Sequence, residues 1–116
     1  MMLVGHSCGA GFLLRWLTEN TIHIDKLVLV APWLDPNRRR TSDFYDFEID
    51  PAIADRAGKI HLFESSDEDV EGVLESVATI EKIFPSIIVH RFDNMGHFTI
   101  GDMKTEKFPE LLEVLM

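Results

Sequence analysis

Short apolar runs separated by stretches of helical period constrain this chain more than any other feature. The clearest run is Lys26-Leu27-Val28-Leu29-Val30-Ala31. It is continuous rather than alternating, as a strand buried on both faces of a sheet must be. Runs at 1–4, 59–63 and 86–92 share its strand character. Between them, 11–20 carries Phe12, Leu13, Trp16 and Leu17 at helical spacing, predicting one shared apolar face. The segment 70–83 does the same with Val70, Val73, Leu74, Val77, Ile80 and Ile83, and stops before Pro85. Asp50-Pro51 reads as an N-cap followed by proline at the first helical position, with Gly58 as the stop. A terminal helix is predicted over 106–116, with Phe108, Leu111, Leu112 and Leu115 inward, and 35–48 reads as a polar loop. Strand and helix in this alternation predict an α/β fold. The expected form is a three-layer sandwich, a mostly parallel sheet of about four strands flanked by helices. The 116 residues suit a single domain with one core.

Composition narrows the classes of function. A hydrophobic fraction of 46% beside 27% charged residues is that of a globular protein. No apolar run approaches the length of a membrane span, and no basic stretch followed by a long apolar one opens the chain. The net charge of -9 argues against nucleic acid, which calls for a basic face, and Arg38-Arg39-Arg40 is too short to reverse it. That run reads as a solvated loop. The single cysteine, Cys8, forms no internal disulfide and suits a reducing cytoplasm.

The segment between the first strand and the first helix carries the chemistry. Gly5-His6-Ser7-Cys8-Gly9 is a G-x-S-x-G pattern in a strand–turn–helix context. That context makes Ser7 the exposed residue of a nucleophile elbow, with the backbone amide of Cys8 facing the reacting centre as an oxyanion donor. Gly5 and Gly9 supply the small residues that so tight a turn needs. A serine hydroxyl is a poor nucleophile at neutral pH, so it needs a base, and the base needs an acid to fix its tautomer. In parallel α/β sheets the reacting groups gather beyond the carboxyl ends of the strands. Ser7, the acidic loop after Phe63 and the segment after Phe92 all fall there.

His97 is the expected base, in the loop Asp93-Asn94-Met95-Gly96-His97-Phe98, where Gly96 permits the bend back across the strand ends. His6 lies within the elbow and is expected to pack or bond locally. His61 and His90 fall within strands and His23 in a connection. The acid is sought in Ser65-Ser66-Asp67-Glu68-Asp69. Asp67 is preferred as the first acid of this loop, which follows a strand ending near Phe63, with Glu68 and Asp69 as alternatives. Acids here also suit the N-terminal end of the following helix. A calcium loop is not expected: Asp67, Asp69, Glu71 and Gly72 fit its first positions, but the twelfth, which needs a bidentate glutamate, is Ala78. No metal or other cofactor is expected. Cys8, at a helix N-terminus where a thiol pKa can fall, is expected to be a small packing residue rather than an oxidation site.

With Ser7, the acidic loop and His97 in hand, the chain resembles the α/β-hydrolases. It is most similar to the small serine-hydrolase family that includes the vertebrate retinoblastoma-binding hydrolase and bacterial relatives. The resemblance rests on Val4-Gly5-His6-Ser7-Cys8-Gly9-Ala10, Leu27-Val28-Leu29-Val30-Ala31, residues 63–69 and Gly96-His97-Phe98. It implies a compact hydrolase without metal cofactor, with Ser7 as nucleophile and His97 as base. The acid matches less cleanly. An ungapped match from Ser65 puts Glu68 at the acid position, and one from Ser66 puts Asp69 there. Members of the family also carry several strands and helices before the elbow, including the loop with the second oxyanion donor. Residues 1–116 are therefore expected to form the C-terminal portion of such a domain, truncated at its N-terminal side, with the first strand as an unpaired edge. The expected activity is hydrolysis of a small-molecule ester or amide through an acyl-enzyme at Ser7. The alternative is a non-catalytic binding or regulatory protein that keeps the half-fold. No nucleic-acid or membrane partner is expected, and dimerisation through the edge strand is possible.

Overall fold

A computed structural model describes residues 2–35, 47–68, 70–98 and 109–115, with Leu112 and Leu115 described by backbone alone. The elements in chain order are β1 (Met2–His6), α1 (Cys8–Glu19), β2 (Ile24–Val30), α2 (Ile53–Arg56), β3 (Ala57–Ser65), α3 (Val73–Ile83), β4 (Ile88–Phe92) and α4 (Pro109–Leu115). The strands form one sheet in the order β1-β2-β3-β4, and every pair is parallel. This is the expected α/β architecture.

The register explains the layers. Leu3 pairs with Leu27 and Gly5 with Leu29, so these side chains share one face of the sheet. Leu62, paired with Leu29, joins them. Val28, Val30 and Phe63 point to the opposite face. Helix α1 packs on the first face. A Cβ on Gly5 would lie 2.7 Å from the Ala10 Cα and 2.8 Å from its nitrogen, so only glycine lets the helix start this close to the strand. Helix α4 reaches the second face, where Lys26 Nζ donates to the Val114 carbonyl at 2.5 Å. Strand β2 is buried on both sides from Leu27 to Val30, as its unbroken apolar run predicts.

Helix α1 is rotated from the predicted face, keeping Leu17 inward, whereas α3 largely turns the predicted face inward. In α1 the buried residues are Ala10, Gly11, Leu14 and Leu17, while Phe12 is 48% and Trp16 36% exposed. The contact between Gly5 and Ala10 fixes the helix rotation, and Phe12 and Trp16 then fall outside the inward stripe. In α3 the buried set is Val73, Ser76, Val77 and Ile80; Val70 precedes the helix, and Leu74 is exposed. Ser76 is buried because its hydroxyl is used twice. It donates to the Gly72 carbonyl at 2.7 Å and accepts from the Leu34 amide at 3.0 Å, tying α3 to the segment after β2.

Gly58 does not stop a helix. Helix α2 is a single turn, and β3 begins at Ala57, so Gly58 is a strand residue. A Cβ there would stand 2.6 Å from the Asp25 carbonyl oxygen, so glycine permits the approach of β2. Asp50 is not the N-cap, a position held by Ala52; its carboxylate accepts from the Ala52 amide at 2.9 Å in the turn that precedes the helix. Arg38, Arg39, Arg40, Asp69, Phe108 and the inward side chains expected at Leu112 and Leu115 lie outside the described residues.

Candidate active site

The carboxyl ends of the strands meet in one place because the parallel ladders continue past the strands themselves. The Ser7 amide donates to the Val30 carbonyl at 2.9 Å, Ala31 to Phe63 at 2.9 Å, and Ser66 to Phe92 at 2.8 Å. The segments after β1, β2 and β3 thus stay in register, each on the end of the next strand, at one rim.

Ser7 sits between strand and helix with φ 57° and ψ -122°. A left-handed angle in a non-glycine residue is a local strain that the surroundings must hold. They do so through the Ser7 carbonyl, which accepts from Ala10 at 3.1 Å and from Trp33 at 3.1 Å. The turn lifts the hydroxyl to the rim. There His97 Nε2 stands 2.8 Å from Ser7 Oγ. On the other side of the ring, His97 Nδ1 lies 2.9 Å from Glu68 Oε1 and 3.1 Å from Oε2. Serine, imidazole and carboxylate form one hydrogen-bonded line. Its consistent proton arrangement has Nδ1–H donating to Glu68 and Nε2 accepting from the serine hydroxyl.

Burial grades along that line. The Glu68 side chain is 1% exposed and that of His97 12%, while Ser7 is half-buried. The carboxylate is further held by the Val70 amide, which donates to Oε2 at 3.1 Å. His6, beside the serine, is exposed, and its Nε2–H donates to the His97 carbonyl at 2.6 Å. Its ring packs against that of His97 with centroids 4.9 Å apart. Cys8, the first residue of α1, is exposed beside Ser7.

No protein-family model matches the chain, and no curated protein matches it. Among solved structures it is similar to the ydeN gene product from B. subtilis, with a TM-score of 0.75 at 20% sequence identity. The match covers 98% of this chain and 62% of that one. That protein has an α/β-hydrolase fold. The present chain has a partial α/β-hydrolase fold. It spans 62% of the length of its structural neighbour.

Within this fold the carboxylate facing His97 is Glu68, not the preferred Asp67. The reason is the length of β3. The strand runs to Ser65, two residues beyond the expected end at Phe63, so the acid within reach of His97 is one residue later. The ungapped match from Ser65 carried that signal. Asp67 instead turns to the loop before His97. Its Oδ1 accepts from the Ser65 hydroxyl and from the Gly96 amide, the latter at 3.0 Å. The Ser65 hydroxyl first, and the Gly96 amide second, hold the Asp67 carboxyl below its ordinary value. Ser65 is the contributor that reading the sequence missed. Ser65 is 1% exposed and accepts from the Met95 amide at 3.1 Å, a role with no motif of its own. Among the described residues no cluster of three or more His, Cys, Asp or Glu could hold a metal ion. No helix of the described residues is long and apolar enough to cross a membrane.

Proposed function

We propose that the chain is the C-terminal portion of a serine hydrolase that cleaves a small-molecule ester or amide. Ser7 is its nucleophile, His97 its base and Glu68 its acid. The observation that carries the proposal is the continuous line from Ser7 Oγ through His97 to Glu68, with contacts of 2.8 and 2.9 Å. In the mechanism Ser7 Oγ attacks the substrate carbonyl while His97 Nε2 takes its proton. Glu68 stabilises the imidazolium that results. His97 then returns the proton to the leaving group, and water releases the acyl group by the same steps in reverse roles. The Cys8 amide, at the start of α1, donates to the oxyanion. The resemblance to the small serine-hydrolase family with the retinoblastoma-binding member belongs to this proposal, as does a cytoplasmic setting.

Turnover of a chromogenic short-chain ester tests it. The account expects an initial burst of product that scales with protein concentration and vanishes in Ser7→Ala. Hydrolysis that persists in Ser7→Ala would overturn it.

A second reading has its own support. Met2 and Val4 on the end strand β1 are 47% and 43% exposed. Strand β1 carries no charged residue, whereas Arg91 on the other edge strand pairs with Glu64 and Glu81. Charge blunts strand edges, and β1 lacks it. A second copy pairing along β1 fits these features. Size-exclusion chromatography should then show a concentration-dependent dimer that Val4→Lys weakens; a monomer at all concentrations would dismiss it.

A further inference from the structure

The His97 loop is held by more than the residues proposed for the reaction. Two successive amides of that loop are anchored on the end of β3. Met95 donates to the Ser65 hydroxyl at 3.1 Å, and Gly96 donates to Asp67 Oδ1 at 3.0 Å. Ser65 in turn donates to the same Asp67 oxygen, so the three groups close a clasp. Gly96 is buried and left-handed, with φ 54°, and it immediately precedes His97. The direction of its peptide plane sets where the His97 backbone points.

We propose that Asp67 is a positioning residue of the Ser7 site, clasping the Gly96 amide so that His97 is aimed at Ser7 and Glu68. The inference rests on the hydrolase reading above. A hydrogen bond to an ionised carboxylate is about twice as strong as one between neutral groups. Two donors converge here on one carboxylate oxygen, one from the loop and one from the strand end. The contact acts at a distance from the reacting atoms, and its value lies in geometry. A displacement of about 1 Å in a reacting group can cost on the order of a hundredfold in rate.

The test compares Asp67→Ala, Asp67→Asn and Glu68→Gln in the full chain by two measurements. One is the hydrogen-exchange rate of the Gly96 amide. The other is the rate of Ser7 labelling by a fluorophosphonate. Asp67→Ala should speed Gly96 exchange and slow labelling, each by roughly ten- to a hundredfold. Asp67→Asn keeps an acceptor oxygen and should lie between Asp67→Ala and the wild type in both. Glu68→Gln should slow labelling without changing Gly96 exchange. Unchanged Gly96 exchange in Asp67→Ala overturns the clasp. So does loss of labelling in Asp67→Asn as deep as in Glu68→Gln, because the charge rather than the acceptor would then be the requirement. If the wild type does not label at all, the hydrolase reading fails, while faster Gly96 exchange in Asp67→Ala still supports the clasp.

Discussion

Glu68 and Asp67 are adjacent carboxylates with different surroundings, and the difference assigns them different work. Glu68 is enclosed against His97, with the Val70 amide on its second oxygen. Replacing it by Gln keeps the volume but presents a group that can donate to Nδ1, which favours the wrong tautomer. We expect Glu68→Gln to lower the acylation rate by about 10³–10⁴, the size of effect known for loss of a triad acid. A loss under tenfold would remove Glu68 from that role. The two glycines of the elbow separate in the same way. A Cβ on Gly5 meets the Ala10 backbone at 2.7 Å, whereas one on Gly9 meets nothing within 4 Å. Gly5→Ala should therefore cost about 1–3 kcal/mol through overpacking. Gly9→Ala should be neutral or gain up to about 1 kcal/mol as a helix residue. Urea denaturation of the two variants checks the contrast, and equal costs would contradict it.

At the scale of elements, the sequence announces order and type better than faces and ends. The continuous apolar run of β2 could be read as a doubly buried strand because a central strand leaves no polar side to disguise it. The alternation with helices then implies parallel pairing. The strand–turn–helix at Ser7 and the loop position of His97 were legible for the same local reasons: glycine spacing and placement after strands. The face of α1 was not legible. Ala10 and Gly11 carry little hydrophobicity, yet they face the sheet, because the approach to Gly5 fixes the rotation and leaves Phe12 and Trp16 outside. The carboxylate that faces His97 was lost to a strand end. Glu64 and Ser65 look like loop residues, but β3 continues through them by pairing with Arg91 and Phe92 of β4. Tertiary pairing set that boundary, and the boundary set which carboxylate reaches His97.

At the scale of the whole molecule, stability should depend on pH through a histidine pair away from Ser7. His61 Nδ1 and His90 Nε2 lie 2.9 Å apart beneath stacked rings, with Phe63 4.5 Å from His90. Burial lowers the pKa of both; for His61, the neighbouring His90, Lys26 and Lys59 add to it. The bond needs one nitrogen as donor and the other as acceptor, which two imidazolium rings cannot supply. In the unfolded chain these histidines take up protons near their ordinary value of about 6.5, above the folded values. The unfolded state then binds more protons, so stability is full above about pH 6.5 and falls as pH drops toward the folded values. Thermal melts between pH 7 and 5 should show this loss, and His90→Phe should flatten it; parallel curves would dismiss the pair as its source. A separate loss belongs below about pH 4, where Asp50 and Asp67, both with lowered pKa, take up protons in the unfolded chain first.

The central claim is that the strained serine of the elbow is a nucleophile driven by His97 and Glu68. Intact-mass spectrometry after fluorophosphonate treatment, followed by peptide mapping, tests it most directly. The account predicts one adduct per chain, located on Ser7 and absent from Ser7→Ala. A wild-type chain that stays unmodified, or an adduct that persists in Ser7→Ala, would contradict it.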